Sequence, residues 1–431
     1  MYNDKLKVSS DKNPIIPRRG VCDPHMHVFN DRVYLYASHD AISAFGKSDF
    51  EMPDWQVWSS SDCVEWQLDS VIRPEDTFVG KMNSCWAVDC AERNGKYYFY
   101  FSIRSTATGV LVADDPAGPF KDVLGKPLLD GTRTETAEYD PSVFCDDDGE
   151  YYIIFGGPKW CYGSNAGYYI ARLNEDMVSL AEEPRYVLIN HIADDKPSLN
   201  KFGGRYYLSY GGYYAISDCV YGPYRLLGNT GASEDHTSYF EWNSQIFNAI
   251  SVGDSFGSHR STGMCYVHIR KNGELVTDPL IVEYGVGRYD SNWNRIEAEW
   301  FMSGKNVHKE ENLGVVGFSV VCDGNAVLKF PNVKNLSDKI GLWLCGSSWF
   351  GESSIELREN DENGKLLGST TFEATYGCPY ADYTTLQRKA GFFFDAQLPD
   401  TANLCLVLKP TANAKLSIDY FRFFAEPISN P

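Results

Sequence analysis

Positive charge is scarce in this sequence. Its 431 residues hold 39 Lys and Arg against 58 Asp and Glu, for a net charge of −19. Phosphate backbones and anionic membranes are recognised by basic patches, so nucleic acid and membrane surfaces are excluded as partners. Long apolar runs are also missing, and none reaches the ~18 residues that a spanning helix needs. The opening stretch MYNDKLKVSSDKNP lacks the apolar core of a secretory signal. Twelve cysteines are scattered from Cys22 to Cys405 without one C-x-x-C pair. That spacing argues against a dithiol or zinc motif and predicts mostly buried, reduced thiols, with scattered disulfides as the alternative. A cytoplasmic location is expected, or a secreted one if a signal peptide has been removed. Helical periodicity is scarce as well.

What the chain has in quantity is aromatic residues: 28 Tyr, 24 Phe and 10 Trp. Aromatic faces suit sugar rings, although most such side chains serve as core. Short alternating runs rich in Tyr, Val, Ile and Phe end in Gly, Asp, Asn or Pro, the pattern of an all-β protein. One signature recurs. NDRVYLYASHD lies near residue 30, NGKYYFYFS near 94, DGEYYIIFGG near 148 and GGRYYLSYGG near 203, with a weaker fifth copy in EWNSQIFNAIS at 241–251. Each is a turn followed by a Tyr-rich strand. A period of about 54 to 65 residues leaves room for roughly four strands per unit, which predicts a five-bladed β-propeller over 1–290. From about residue 291 the signature stops. Some eight short strand candidates follow, among them NAVLKFPNV, KIGLWLCGSS and NLCLVLKP, so 291–431 reads as a β-sandwich of the jelly-roll kind.

Propellers gather functional groups at the inner end of each blade's first strand, around a central channel. Two Asp-Pro pairs occupy matching points in the repeat. Asp23-Pro24 precedes the first Tyr-rich strand and Asp140-Pro141 the third. Asp-Pro is a common turn initiator. Proline also favours an extended residue before it, which would hold a carboxylate at a defined angle.

Together these stretches resemble glycoside hydrolase family 43. The likeness runs through CDPHMHVFNDRVYLYASHD, EMPDWQVWSSSDCVEW, CWAVDCAERNGKYYFYFS, YDPSVFCDDDGEYYIIFGG, KPSLNKFGGRYYLSYGG and DHTSYFEWNSQIFNAIS, and covers nearly all of residues 20–280. The resemblance implies a five-bladed propeller that cleaves arabinofuranosides, xylosides and some galactosides with inversion. It implies Asp23 as general base and Asp140 as the carboxylate that tunes and orients the general acid. An inverting site needs two carboxyl groups ~6.5–9.5 Å apart so that a water fits between base and sugar. A third carboxylate raises the acid's pKa by like-charge repulsion.

The acid departs from the family pattern, which has Glu two residues before a Pro. Here the segment reads HIADDKPSLNKFGG, and the matching residue is Asp195, followed by Lys196 and Pro197. Asp194 is a register alternative and Glu241 a more distant one. By the same resemblance, His236 lies near the channel centre, where it can hold a calcium ion or water. Arg260 is a sugar contact, Trp86 and Asp89 line the pocket, and Asp54 shapes the sugar subsite. His25 and His27 share one side of a strand, as two metal ligands would, but no third ligand is evident.

The C-terminal segment resembles carbohydrate-binding module family 6 in RIEAEWF, FPNV, SSIELREND and LSIDYFRF. That likeness implies a structural calcium held by Glu297, Glu299 and Asp419, since hard cations take carboxylate oxygens. Trp349, Tyr380 and Tyr383 are the nearest candidates for sugar-binding aromatics. The expected partner is an oligosaccharide or polysaccharide, with no organic cofactor. Apart from a purely structural interaction propeller, which would not need the paired Asp-Pro elements, three other readings stand beside the arabinofuranosidase or xylosidase. One is a galactosidase or galactofuranosidase of the same family, another a noncatalytic carbohydrate-binding protein. The third, a retaining fructosidase, would need a Glu-Cys acid motif that the sequence lacks.

Overall fold

Four two-residue turns set the architecture of the first part of the chain. In the computed structural model, which describes residues 5–41, 51–157, 167–191, 196–233, 235–254, 260–312, 317–375 and 387–426, the pairs Asn30–Asp31, Asn94–Gly95, Gly203–Gly204 and Asn243–Ser244 all have φ between 52° and 79°. Positive φ at both positions gives a turn whose twist matches that of paired strands. Each pair joins a first strand to the strand that carries the recurring signature. Val21–Phe29 leads to Arg32–His39, Cys85–Arg93 to Lys96–Ile103, Ser198–Phe202 to Arg205–Tyr210, and Thr237–Trp242 to Gln245–Gly253. In the third unit a longer loop with Gly149 at φ 82° joins Ser142–Cys145 to Tyr151–Gly157.

These hairpins grow into five antiparallel sheets in chain order, the blades of a β-propeller. Four have four strands. The first has five, because Lys7–Ser9 pairs with its outer strand Glu65–Ile72. The ring closes between the fifth and first blades, where Met26 N donates to Ser238 Oγ at 3.1 Å and Thr262 Oγ1 to Val21 O at 2.9 Å.

The Tyr-rich signature is explained by double-sided burial. Successive residues of a strand face opposite sides of its sheet, and each blade packs between two others. Phe99 and Phe101 of the second blade join Tyr36 and Trp55 of the first, while Tyr98 and Tyr100 join Ile153 and Phe155 of the third. Tyr152 and Ile154 then join Leu208 and Tyr210 of the fourth. A strand buried on both faces needs large apolar bodies at every position, each contributing about 1.5–3 kcal/mol. Tyr hydroxyls find backbone partners, as Tyr100 does at Met177 O, 2.7 Å away.

Contacts divide the described chain into two units. The first comprises 1–240, 247–265 and 274–285, and the second 241–246, 266–273 and 286–431. The second unit contains one six-stranded and one seven-stranded sheet, the two layers of a sandwich. All ten described cysteines are free thiols, and only Cys145 and Cys219 among them are exposed.

Candidate active site

Asp23, Asp140 and Lys196 each precede a proline at the entry of an innermost strand, in the first, third and fourth blades. Their φ values are 50°, 52° and 40°. The extended conformation expected before proline is therefore not the one adopted. Pairing in the first blade explains why: the register of Val21–Phe29 shifts between Cys22 and His25, so Asp23-Pro24 forms a bulge. Bulges re-aim side chains, and a strained backbone of this kind costs of order 1–3 kcal/mol. Local hydrogen bonds offset it. Asp140 N donates to Ser102 Oγ at 3.0 Å, and Ser102 in turn donates to Ala87 O at 2.7 Å. Tyr139 lies over Gly157, where a Cβ would come within 2.5 Å of its hydroxyl oxygen.

Asp23 is 2% exposed. Arg260 Nη1 approaches its Oδ1 at 2.6 Å, and His236 Nδ1 lies 3.6 Å from the same oxygen. Arg260 also reaches Asp40 Oδ1 at 2.9 Å and Asp235 Oδ2 at 3.2 Å. Burial pushes the Asp23 carboxyl up, but Arg260, His236, Ser38 and Lys196 together bring it down to about 2. His236 responds in the opposite direction. Burial opposes its charged form, yet Asp23, Asp235 and Asp140 outweigh burial and raise its pKa above the ordinary value. A cavity of about 420 Å³, lined by Ser233, Asp235, Ser251 and Arg260 among others, opens beside this cluster. Its size falls in the range of small-molecule sites.

The sequence-derived residues divide into three groups. Asp23, Asp140, His236 and Arg260 converge. Arg260 directs its donors to carboxylates, holding the cluster together, and also lines the cavity. Trp86 is half-buried beside Tyr139, with ring centroids 6.1 Å apart. Asp54 accepts from His39 Nδ1 at 2.9 Å and from Gln56. Asp194 and Asp195 lie outside the described residues, as do Tyr380 and Tyr383.

Other expectations are overturned. Asp89 does not line a pocket: it is fully buried. His27 Nε2 is 2.7 Å from its Oδ1, while Val143 N donates to Oδ2 at 2.6 Å. It ties three blades together. The bulge between Trp86 and Val88 determines which way this strand presents Asp89, and no sequence pattern marks a bulge. His25 and His27 do have a third group, again Asp89, with ligand atoms within 4.8 Å. Glu241 is exposed near the end of the strand Thr237–Trp242, five residues after His236 in the chain. Trp349 is buried and donates to Ser347 Oγ.

The three expected calcium ligands of the second unit do not come together. Glu297 pairs with Arg295 at 2.5 Å, Glu299 accepts from Phe318 N at 3.2 Å, and Asp419 accepts from Asn312 Nδ2 at 2.9 Å. Register gives the reason. Glu297 stands opposite Tyr420, so Asp419, one residue away, faces the other side of the sheet. Among the described residues, Asp23, Asp235 and His236 form a second acidic and histidine group that could hold a metal, with ligand atoms within 4.8 Å. The charges there do not suit a divalent ion. Asp23 and Asp235 share Arg260, His236 is drawn toward its protonated form, and the ammonium of Lys196 acts on the same groups.

Sequence reading missed Asp40, Asp235 and Ser102 as parts of this assembly. Asp40 and Ser102 carried a signal, as the last residues of the first and second Tyr-rich repeats, and Asp235 carried none.

Comparison with known proteins identifies the family. The family model for glycosyl hydrolases family 43 matches residues 11–244. A xylosidase/arabinosidase of Bacteroides ovatus is 30% identical over 275 residues, 51% of this chain and 81% of that protein. Xylosidase/arabinosidase 43A of Humicola insolens is 30% identical over 330 residues, covering 62% of this chain and 98% of its own length. A family 43 arabinoxylan arabinofuranohydrolase from Bacillus subtilis, solved in complex with cellotetraose, shares the fold. Its TM-score is 0.53 and its identity 21%, over 96% of this chain and 97% of that one. The propeller is thus matched in sequence and in fold, and the chain belongs to family 43 of the glycosyl hydrolases.

Proposed function

We propose that this chain is an inverting glycosidase acting on arabinofuranosides or xylosides of plant-type chains, with Asp23 as base, Asp140 as the tuning carboxylate and Asp195 as acid. The observation that carries the reading is the state of Asp23. It is buried at the mouth of an innermost strand, kept ionised by Arg260, and set beside the cavity that Arg260 lines. The names of the Bacteroides and Humicola relatives support the substrate class.

In this mechanism a water seated by Asp23 gives its proton to the carboxylate as its oxygen attacks the anomeric carbon. The glycosidic bond breaks at the same time, and the leaving oxygen takes a proton from the acid. Asp23 needs no deprotonation at neutral pH, because its cationic neighbours have already secured the ionised form. Arg260, gripped by Asp40, fixes the carboxylate's angle, and small errors of angle or distance are expensive in such a displacement.

The test is a panel of aryl glycosides of arabinofuranose, xylose and galactofuranose, with the product anomer followed by NMR. Turnover of the arabinofuranoside or xyloside with inversion is the expected result. Retention, or binding without turnover of any activated glycoside, would overturn it; selective turnover of the galactofuranoside would shift the substrate to the rival within the family.

A further inference from the structure

Lys196 occupies in the fourth blade the place that Asp23 and Asp140 occupy in the first and third. It precedes a proline, has positive φ and stands at the entry of the innermost strand. It is 0% exposed. Its Nζ donates to Val88 O, 2.7 Å away, on the innermost strand of the second blade. The second and fourth blades are not neighbours in the ring, so this side chain crosses the channel. Burial lowers its pKa on balance, and the carboxylates of Asp89, Asp140, Asp23 and Asp235 all act on its charge and oppose that effect.

A lone ammonium in such a place would be strongly disfavoured, and so would buried carboxylates without cations. The two problems solve each other. The left-handed backbone at φ 40° suits glycine better than a long side chain, so the lysine is held there against its own local preference.

We propose that Lys196 is the resident cation of the channel, a positioning residue whose ammonium, held by Val88 O, balances the charge of the Asp23 and Asp140 carboxylates and takes the place of a divalent ion. The proposal rests on the reading of these two residues as the reaction's carboxylates. Its consequence is that hydrolysis by this chain needs no added metal.

Two full-length variants test it. Lys196→Gly removes the ammonium, relieves the backbone and leaves a hole. Lys196→Met removes the charge and keeps the side chain's bulk. Both should lose about 100-fold or more in kcat on the best aryl glycoside. Ethylammonium or calcium should restore Lys196→Gly by at least about tenfold, since either can fill the hole with positive charge. Neither should restore Lys196→Met, and wild-type kcat should be unchanged by chelator. Near-wild-type turnover in both variants would overturn the proposal. So would a well-folded Lys196→Gly that neither cation restores, or a wild type that chelator inactivates. If the wild type hydrolyses no glycoside, the enzymatic reading fails by itself. Lys196 is then judged by melting. Calcium or ethylammonium should raise the transition of Lys196→Gly and leave that of Lys196→Met in place, and equal responses would remove its cation role.

Discussion

Arg260 and Asp23 form an ion pair of 2.6 Å across the seam where the propeller closes. Arg260 opens the third strand of the last blade, and Asp23 sits in the first strand of the first. The same guanidinium holds Asp40 through Nη2 at 2.9 Å and through Nε at 3.2 Å. The carboxylate read as the base is therefore aimed by a contact that exists only when the ring is shut. Folding and the readiness of the site are coupled through one residue.

Replacing Asp23 by Asn keeps the volume and removes the charge. kcat/KM on an aryl glycoside should fall by about 10³-fold or more, because water activation is lost. Circular dichroism should be unchanged. A second effect follows from linkage. The folded carboxyl is depressed from 3.8 to about 2, so its stabilisation is complete above the ordinary value and is lost as pH falls through the folded one. The contribution is on the order of 2 kcal/mol. Between about pH 4 and pH 2 the wild type should lose melting temperature more steeply than Asp23→Asn. Parallel acid limbs would contradict the assignment.

Arg260→Lys tests the fork. Lysine keeps the charge but cannot grip Asp23, Asp40 and Asp235 at once, because its ammonium is a point donor. The expected result is a fall in kcat of about 100-fold with a much smaller change in KM, as for a misaligned base. A large rise in KM at unchanged kcat would instead make Arg260 a ground-state sugar contact.

His236 predicts a pH effect of opposite sign. Its pKa is raised above 6.5 by Asp23, Asp235 and Asp140 against the effect of burial. A raised value in the folded state means stabilisation that is full below the ordinary pKa and is lost as pH climbs through the folded one. As pH rises above about 6.5 the melting temperature of the wild type should therefore fall more than that of His236→Gln. If the two curves run parallel, His236 does not carry the charge inferred for it.

The architecture was legible because its signals are local. Asn30–Asp31, Asn94–Gly95 and Gly203–Gly204 are turn pairs that need positive φ, and each is followed by a strand whose residues are buried on both sides. Even the weak fifth copy rests on Asn243–Ser244, a turn of the same kind. Asp23 and Asp140 were legible because the repeat places them at equivalent points. What escaped depends on register and on partners from other blades. Asp89 turns inward at a bulge that no alternation pattern reveals. His25 and His27 gain their third group from the neighbouring blade. Strand register, which sets Glu297 opposite Tyr420, puts Asp419 on the other face from the Glu297 it was expected to join. The role of Lys196 is hidden because sequence shows its adjacency to Asp195 along the chain and not its reach to Val88 O.

The acid itself gives the last prediction. Asp195 stands two residues before Pro197, where the family has Glu, and its side chain is one methylene shorter. Proton donation matters most for poor leaving groups. Asp195→Ala should therefore nearly abolish hydrolysis of natural oligosaccharides and largely spare a dinitrophenyl glycoside, whose leaving group departs without help. Asp195→Glu should retain activity on both, and a gain on the oligosaccharide would show that reach limits the native residue. If Asp195→Ala matches the wild type on every substrate, Asp194 is the residue to replace next. Glu241, exposed near the end of its strand, should remain silent in the same assay, and a loss specific to poor leaving groups in Glu241→Gln would reverse that assignment.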